Sequence, residues 1–254
     1  MKFAVPAIWL GTLCLVPAQQ TMPKSGTNDV AGFKSIFDGK TLADWEGDPR
    51  YWRVEDGCIV GEVTPETLLK QNTFIIWHGG TTRDFELKAE YRISDQGNSG
   101  INYRSERVAT NSAPFALRGY QADIDGKNEY TGQNYEERKR TFLALRGQIA
   151  RVDADGKSRI IGSLGDKAAL AKFINDGDWN QYHLIARGNV MIHILNGQVM
   201  SVVVDDDPKS RSFDGLLGVQ VHVGPPMKVE FRNIQLKELP ADFLPGETNN
   251  PVRP

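Results

Sequence analysis

Cysteine is nearly absent from this chain, which has two cysteines among 254 residues. Cys14 lies in a short apolar run that begins at Phe3 and ends shortly before Ala18. A charged start, an apolar run and a small residue are typical of a secretory signal peptide, here residues 1–18. Cleavage leaves Cys58 as the single cysteine, which excludes an intramolecular disulfide and a thiolate metal cluster. Its alternating surroundings, WRVEDGCIVGEV, predict a small buried apolar side chain.

An excess of one charge and a membrane-length apolar run are also missing. The formal net charge is −2, so nothing marks a surface for nucleic acid or for anionic lipid. The apolar run of the signal is too short to span a bilayer. We therefore expect a secreted or periplasmic protein with no nucleic-acid partner and no membrane contact after cleavage. Residues 19–32 and 240–254, rich in small and polar residues and proline, are predicted to be a disordered linker and a flexible tail around one domain, 33–239.

Helical periodicity occurs in one place, Asp166 to Ile174, where an acidic residue precedes the pattern. The rest alternates like strands, most clearly from Phe85 to Ile93. Gly188-Asn189 and Asn196-Gly197 are hairpin dipeptides, and a change of parity within Lys228 to Lys237 predicts a bulge. Many short strands joined by tight turns predict an all-β fold: an antiparallel jelly-roll β-sandwich with one short helix.

Three of the predicted strands present reactive polar side chains opposite an apolar stripe. The first offers Asn102 and Arg104, the second Gln121, Asp123 and Asp125, and the third, Leu216 to Val223, offers Gln220 and His222 opposite Leu217, Val219, Val221 and Val223. Each has a structural alternative: Arg104 can pair with a surface acid, and His222 can be a hydrogen-bonded histidine at the sandwich edge. For Asp125 we prefer the alternative, because Asp-Gly is a strong turn dipeptide.

Common catalytic and metal-binding motifs are missing as well. The four histidines lack zinc-type spacing, and DIDGKNE and DADGKSR are predicted to be Asp-Gly hairpins because both lack the glutamate that closes a calcium loop. No Gly-x-Ser-x-Gly elbow for a serine nucleophile occurs.

Several segments together resemble one family. They are, in order, FKSIFDGKTLADWEG, YWRVEDGCIVGE, NTFIIWHGG, DFELKAEYRI, GNSGINYRS, GYQADIDG, the run Tyr135 to Arg138, GDWNQYHLIARGN and VHVGPPMKVEFRNIQLK. From Phe33 to Leu239 the chain resembles the 3-keto-disaccharide hydrolase family. Similar sequences often have Glu and Gln where this chain has Gln121 and Asp123, and often Arg where it has His78.

The resemblance implies a concanavalin-A-like sandwich, export from bacteria and action on 3-keto-glycosides, with an upstream sugar 3-oxidoreductase that makes the ketone. A ketone at C3 acidifies the proton on C2, so a base can remove it and the C1 oxygen can leave. We expect Asp123 or His222 to be that base and the other to assist the leaving group or to orient its partner. An arginine beside Asp123 would lower the pKa of its carboxyl group, which favours His222 as the base.

Further residues complete this hypothesis. Arg104 is expected to hold the enolate oxygen or a sugar hydroxyl, and Gln121, Tyr135 and Glu137 are expected to bind hydroxyls. No cofactor is required. A divalent cation held by Asp123, Asp125 and Glu137 is an alternative for the enolate. Trp77 or Trp179 could stack on the sugar ring, although for Trp77 a place in the core is the preferred interpretation.

Two other functions fit the same sequence. The fold also serves lectins, so a carbohydrate-binding module without turnover is the main alternative to an enzyme. A surface or scaffolding domain is the second, and it predicts a broad exposed apolar patch. A cleft that contains a base with a suitable pKa would favour the enzyme over both.

Overall fold

The computed structural model describes Met1 and residues 32–240. In chain order its elements are β1 (Lys34–Ser35), β2 (Trp45–Glu46), β3 (Trp52–Glu55), β4 (Cys58–Val63), β5 (Thr73–Thr82), β6 (Phe85–Ile93), β7 (Asn98–Arg107), β8 (Leu117–Asp125), β9 (Asn134–Glu137), β10 (Thr141–Ala144), β11 (Gln148–Val152), β12 (Ser158–Ser163), α1 (Lys167–Ala171), β13 (Asn180–Arg187), β14 (Val190–Leu195), β15 (Gln198–Asp205), β16 (Gly215–Val221) and β17 (Met227–Glu238). The predicted signal peptide, most of the linker and the tail lie outside the described residues.

The strands form two sheets that pack face to face. The larger has ten strands in the order β12-β11-β15-β14-β13-β6-β17-β4-β3, with β1 beside β17. The smaller has seven in the order β10-β9-β8-β7-β16-β5-β2. Neighbouring strands are antiparallel, except for the pair β11 and β15. Aromatic side chains of both sheets meet between them, as where Phe85 of β6 contacts Tyr103 of β7 at 6.0 Å between ring centroids. The predicted antiparallel β-sandwich with one short helix is confirmed.

Local sequence signals agree with the observed elements. Burial in β6 alternates at every residue, and Gly188-Asn189 and Asn196-Gly197 join β13, β14 and β15. The predicted bulge occurs in β17 between Arg232 and Gln235, where the register against β6 shifts. Cys58 is a buried free thiol. Each of these predictions is confirmed, because each depends on local chemistry that neighbouring elements do not override.

Two predicted boundaries differ from the structure. The helix begins at Lys167 with Asp166 as its N-cap, but regular helix ends at Ala171, before the predicted Ile174. Strand β16 ends at Val221, and Val223 is 39% exposed instead of packing in the core. The apolar stripe predicted for this strand is therefore one residue too long. Within the described residues, no helix combines the length and apolar character needed to cross a bilayer.

A buried ionic cluster fixes the turn between β9 and β10. Arg140 donates to Glu136 of β9 at 3.0 Å and to Asp205, at the end of β15, at 2.7 Å. Both carboxylates are fully buried, and the hydroxyl of Tyr120 donates to Asp205 at 2.6 Å. One guanidinium thereby ties the seven-stranded sheet to the ten-stranded sheet at the position where β9 turns back.

We predict that Arg140→Met lowers the free energy of unfolding by about 3–5 kcal/mol, because it leaves the buried Asp205 carboxylate without its cation and Glu136 with only Lys139, at 3.3 Å. Urea denaturation at pH 7 measures the loss. The matched control is Arg118→Met, which removes an exposed pair with Glu106 and should cost less than about 1 kcal/mol. Equal losses of unfolding free energy in the two variants would show that the buried cluster stabilises the protein no more than an exposed ion pair does.

Candidate functional site

Strand β8 places one set of side chains in the core and the other on the outer face of the seven-stranded sheet. Tyr120, Ala122 and Ile124 belong to the core, so the two-residue period turns Gln121 and Asp123 outward. A cleft of about 320 Å³ opens there, at the lower end of the range for small-molecule sites. This polar cleft is lined by Asn72, Asn98, Gln121, Asp123, Tyr130, Gln133, Tyr135, Glu137, Phe142 and His222.

Five of the six residues predicted for the site line the polar cleft: Gln121, Asp123, Tyr135, Glu137 and His222. They come from β8, from β9 and from the residue that follows β16. The register of β8 against β9 pairs Gln121 with Tyr135. Their catalytic and binding roles stay predictions.

Asp123 is held by two side-chain amides and by no cation. Gln121 Nε2 donates to one carboxylate oxygen at 2.7 Å and Gln133 Nε2 to the other at 2.6 Å. The pKa of Asp123 is raised to about 7, mainly by burial and also by the nearby Asp125 and Glu137 carboxylates, which together outweigh the lowering effect of the two amides. The group therefore exchanges its proton near neutral pH while its orientation is fixed.

A chain of amides joins Asp123 to a second carboxylate. Gln220, fully buried on β16, donates at 3.2 Å both to Gln121 Oε1 and to Glu137 Oε2. Asn72 also donates to Glu137, at 3.4 Å. Burial raises the pKa of Glu137, although Arg138, the amides and the nearby His222 lower it. Asp123 is thus oriented by neutral donors alone, whereas Glu137 also has Arg138 Nε at 3.5 Å.

Gly100 gives Gln121 the room that this chain of amides requires. On β7, Gly100 lies opposite Asp123 of β8. A Cβ atom at position 100 would stand 2.5 Å from Cγ of Gln121 and 2.6 Å from its Nε2. Any larger residue would displace the amide that holds Asp123.

His222 presents one ring nitrogen to the polar cleft. Its Nδ1 lies 2.5 Å from the carbonyl oxygen of Val223. A carbonyl can only accept, so Nδ1 carries a hydrogen and Nε2 is the atom left for proton transfer. The N–H of Val223 donates to Asn72 Oδ1 at 3.0 Å, which anchors the segment that carries the histidine.

Aromatic rings form one wall of the polar cleft. Phe142 of β10 stacks on Tyr130 at 6.4 Å between centroids and meets Tyr135 edge-on at 5.2 Å. Tyr130 is 40% and Phe142 49% exposed, so both rings are available to a ligand. Trp77 is instead buried in the core, in agreement with the interpretation preferred for it. The face of Trp179 is covered by Arg232, 3.7 Å from the ring centroid.

Asp125 is a turn residue, which confirms the preferred interpretation. Its carboxylate accepts the backbone N–H groups of Glu129, Tyr130 and Thr131 and the hydroxyl of Thr131 at 3.0 Å. Asp125 therefore orders the loop that carries Tyr130 toward the cleft. Across the described part of the chain, no three His, Cys, Asp or Glu side chains gather closely enough to hold a metal ion. The set Asp123, Asp125 and Glu137 is not assembled as a ligand sphere.

The prediction that Arg104 faces the site is wrong. The residue has a φ of 46°, at the point where the register of β7 against β8 breaks after Tyr103. This irregularity reverses the alternation on which the prediction rested. The side chain is buried and donates to the carbonyls of Arg83 at 2.7 Å and Gly188 at 2.6 Å. Arg104 thus joins loops of the sandwich and does not line the polar cleft.

This correction also reverses the inference about the pKa of Asp123. A neighbouring guanidinium would lower that pKa, whereas the observed amides and the burial leave it raised to about 7. The argument that favoured His222 over Asp123 as the base no longer holds.

Five residues of the polar cleft were not predicted from the sequence: Asn72, Asn98, Tyr130, Gln133 and Phe142. Asn98 has the same parity as Asn102 on β7, so alternation alone gives its face. Gln133 and Asn72 lie outside the strands, in segments without periodicity. Tyr130, in a turn, and Phe142, in the four-residue strand β10, carried no signal, because segments this short or irregular do not show whether an aromatic side chain is exposed or buried.

Comparisons with known proteins identify the family of this chain. Residues 32–237 match the family described as the 3-keto-α-glucoside-1,2-lyase-like domain. The 3-keto-disaccharide hydrolase of Bacteroides thetaiotaomicron is 36% identical over 186 residues, which cover 67% of this chain and 58% of that protein. This chain therefore spans less than two thirds of that relative's length.

Solved structures support the fold. A proposed glycosyl hydrolase of Parabacteroides distasonis ATCC 8503 aligns with a TM-score of 0.54 and 19% identity, over 82% of this chain and 100% of its own. A Bacillus subtilis protein of unknown function with a galectin-like fold aligns with a TM-score of 0.52 and 10% identity, over 78% and 90%. At these identities the likeness concerns the sandwich fold alone.

We predict that Asp123→Asn stabilises the protein at pH 8 and not at pH 4. The pKa of Asp123 is about 7 in the folded protein and 3.8 in an exposed carboxyl group. Between these values the folded state keeps a proton that the unfolded chain releases, so the free energy of unfolding falls as pH rises from about 4 to about 7. Removing the charge should recover up to about 4 kcal/mol at pH 8. Urea denaturation of both proteins across this range measures the difference.

The matched control is Asp125→Asn on the same strand. Its carboxylate accepts four hydrogen bonds from the 129–131 loop, so an amide there should destabilise the protein at pH 8. If the free energies of unfolding of Asp123→Asn and the wild type differed by the same amount at every pH, the pKa of Asp123 would not be raised.

Proposed function

The chain belongs to the 3-keto-α-glucoside-1,2-lyase-like domain family, and we propose that it cleaves glycosides whose sugar carries a ketone at C3. The observation that carries the proposal is the buried Asp123 carboxyl group, whose pKa of about 7 suits proton abstraction at neutral pH. A polar cleft with an adjacent histidine and exposed aromatic rings surrounds it. A binding module needs the rings and the amides, but it does not need a carboxylate with a pKa near 7.

Asp123 is the base in this proposal. Its carboxylate takes the proton from C2, and the electrons of the C2–H bond form an enolate with the C3 ketone. Gln121 and Gln133 hold its two oxygens at 2.7 and 2.6 Å, which fixes the direction from which the proton is taken. A base with this pKa is about half ionised at pH 7 and still strong enough to act on an acidified C–H bond.

His222 assists the leaving group. As the enolate collapses to C1=C2, the bond from C1 to the glycosidic oxygen breaks, and that oxygen takes a proton from Nε2 of the charged ring. The Nδ1 contact to the carbonyl of Val223 fixes the ring orientation. Water then adds at C1 and a proton returns to C2, which gives net hydrolysis. Release of the unsaturated sugar before water adds would make the same protein a lyase.

Neutral donors replace Arg104 in holding the substrate oxygens. Tyr135 and Asn98 line the same cleft and can donate to the enolate oxygen or to a sugar hydroxyl. The pKa of Tyr135 is raised by burial and by the charges of Glu137 and Asp123, so its hydroxyl remains a donor. Gln121 and Glu137 orient hydroxyls at the other side. The proposal includes an upstream sugar 3-oxidoreductase as the source of the ketone and an exported location for the protein.

The direct test is an NMR time course of the protein with a 3-keto-glucoside in deuterated buffer. Cleavage with deuterium at C2 is expected, with the rate of C2 exchange rising with pH through about 7 because Asp123 must be ionised. Asp123→Asn should lower C2 exchange by about 10²–10⁴-fold, whereas His222→Asn should slow cleavage more than exchange.

Each other outcome of this test names a different mechanism. Cleavage without C2 exchange would replace the elimination by displacement at C1, with Asp123 and Glu137 as the carboxylate pair. Loss of activity in EDTA would bring a divalent cation into the enolate step. Binding without cleavage of several 3-keto sugars would establish a carbohydrate-binding module.

We predict that Phe142→Ala lowers kcat/KM for the 3-keto-glucoside by up to about tenfold, mainly through KM, because a ring stacked on the sugar contributes about 1 kcal/mol. The matched control is Phe173→Ala, a ring 47% exposed near α1 and outside the cleft. Steady-state kinetics of both variants provide the comparison. Equal effects would show that Phe142 does not contact the substrate.

A further inference from the structure

Gln220 lies in the middle of the seven-stranded sheet, on the face that carries the polar cleft. Val219 and Val221, its neighbours on β16, belong to the core, so the two-residue period turns Gln220 to the outer face. The side chain is fully buried there and does not line the cleft. Burying an amide costs free energy unless its hydrogen bonds are made, so the partners of Gln220 indicate its role.

A glycine on the strand between them brings Gln220 and Gln121 together. Gly100 on β7 lies opposite Asp123 of β8, and the register of β16 brings Gln220 level with Gly100 on the other side. Because Gly100 has no side chain, Gln121 leans across it, and Gln121 Oε1 lies 3.2 Å from Gln220 Nε2. The hydroxyl of Ser99 donates to the backbone carbonyl of Gln220 at 2.6 Å, which fixes the backbone at this position.

Each hydrogen bond of this chain of amides has one direction. The carboxylate of Glu137 only accepts, so Gln220 presents its NH2 group to Glu137, at 3.2 Å. The second hydrogen of that NH2 group is donated to Gln121 Oε1. Gln121 is thereby held with its oxygen toward Gln220 and its own NH2 group toward Asp123, at 2.7 Å.

Asp123 by itself fixes the direction of Gln121 only while it is ionised. A protonated Asp123 could donate to Gln121 Oε1 if the amide group turned over. Turning would place the NH2 group of Gln121 against the NH2 group of Gln220, two donors without an acceptor. Gln220 therefore opposes the turn, and Gln121 stays a donor in both protonation states of Asp123.

We infer that Gln220 is a positioning residue for the proposed base: it keeps Gln121 a donor to Asp123, so that a proton taken up by Asp123 remains available to the polar cleft. The place of Gln220 in catalysis rests on the proposed function, because only a reaction at C2 uses Asp123 as a base. A donor that cannot turn favours the ionised carboxylate. Gln220 therefore limits the rise in the pKa of Asp123 that burial causes.

The test replaces Gln220 by methionine, which has a similar size and cannot donate. Gln121 is then free to accept the proton of the acid, so the midpoint of the Asp123 titration should move from about pH 7 to about pH 8. The side-chain ¹³C signal of Asp123, assigned with Asp123→Asn, measures this midpoint without substrate. With the 3-keto-glucoside, the pH profile of C2 exchange should move by the same amount while KM stays within about twofold of the wild type.

The matched control is Asn102→Leu. Asn102 lies on β7 directly opposite Gln121, is as buried as Gln220, and finds no hydrogen-bond partner for its amide among the described residues. Leucine has nearly the same size as asparagine, so the midpoint of the Asp123 titration should stay near pH 7.

A double variant shows whether Gln220 acts through Gln121. In a Gln121→Met background, Gln220→Met should cause no further shift of the Asp123 midpoint. Gln220→Glu keeps the shape of the side chain and provides a second comparison. Its effect should be smaller in the Gln121→Met background than in the wild type, because only the added charge then acts on Asp123.

Three outcomes would overturn the inference: an unchanged midpoint in Gln220→Met, the same shift with and without Gln121, or an equal shift in Asn102→Leu. Because the titration needs no substrate, none of these outcomes depends on the proposed function. If the expected shifts occur and no 3-keto-glucoside is cleaved, the positioning of Asp123 by Gln220 stands and the proposed function alone is refuted.

Discussion

The two-residue period of one strand determines both the core and the site of this protein. Strand β8 is buried on both faces: Tyr120 and Ile124 pack between the sheets, while Asp123 and its amide partners occupy the other side. A register slip of one residue would exchange the two sets. Packing of the core therefore also determines which residues face the site. Burying a charged aspartate between the sheets would cost more free energy than burying an apolar residue gains.

The site is built with amides where many sites use cations. Gln121 and Gln133 orient the carboxylate of Asp123 without neutralising it, and Gln220 links them to Glu137. A guanidinium in place of these amides would hold Asp123 as firmly but would lower its pKa. Here burial prevails and the pKa of Asp123 is raised to about 7. Two arginines lie outside the polar cleft: the buried Arg104 and the half-buried Arg140 join loops and sheets, where a permanent charge stabilises the fold without lowering the pKa of Asp123.

The sequence predicts this fold more fully than it predicts the site, for a physical reason. Alternation in β6 and the Asn-Gly and Gly-Asn turns act over a few residues, so they survive assembly. The polar face of β8 follows from the same period, which is why Asp123 and Gln121 were found. The prediction for Arg104 failed because the left-handed backbone conformation of this residue breaks the alternation of β7. The positions of Gln133, Tyr130 and Phe142 in the cleft depend on how a loop and two strand edges meet in space. No local sequence pattern predicts that arrangement.

The core also reaches the site through one buried histidine. His193 lies on the inner face of β14, and its Nδ1 is 3.1 Å from the carbonyl oxygen of Gln133. Because that carbonyl only accepts, Nδ1 carries the hydrogen and Nε2 accepts from the hydroxyl of Tyr103 at 2.8 Å. Burial lowers the pKa of His193 to about 3. His193 therefore stays neutral, and keeps these two hydrogen bonds, over the pH range in which Asp123 titrates. Gln133 in turn donates to Asp123. The packing of one sheet against the other thereby sets the position of an amide that orients the proposed base.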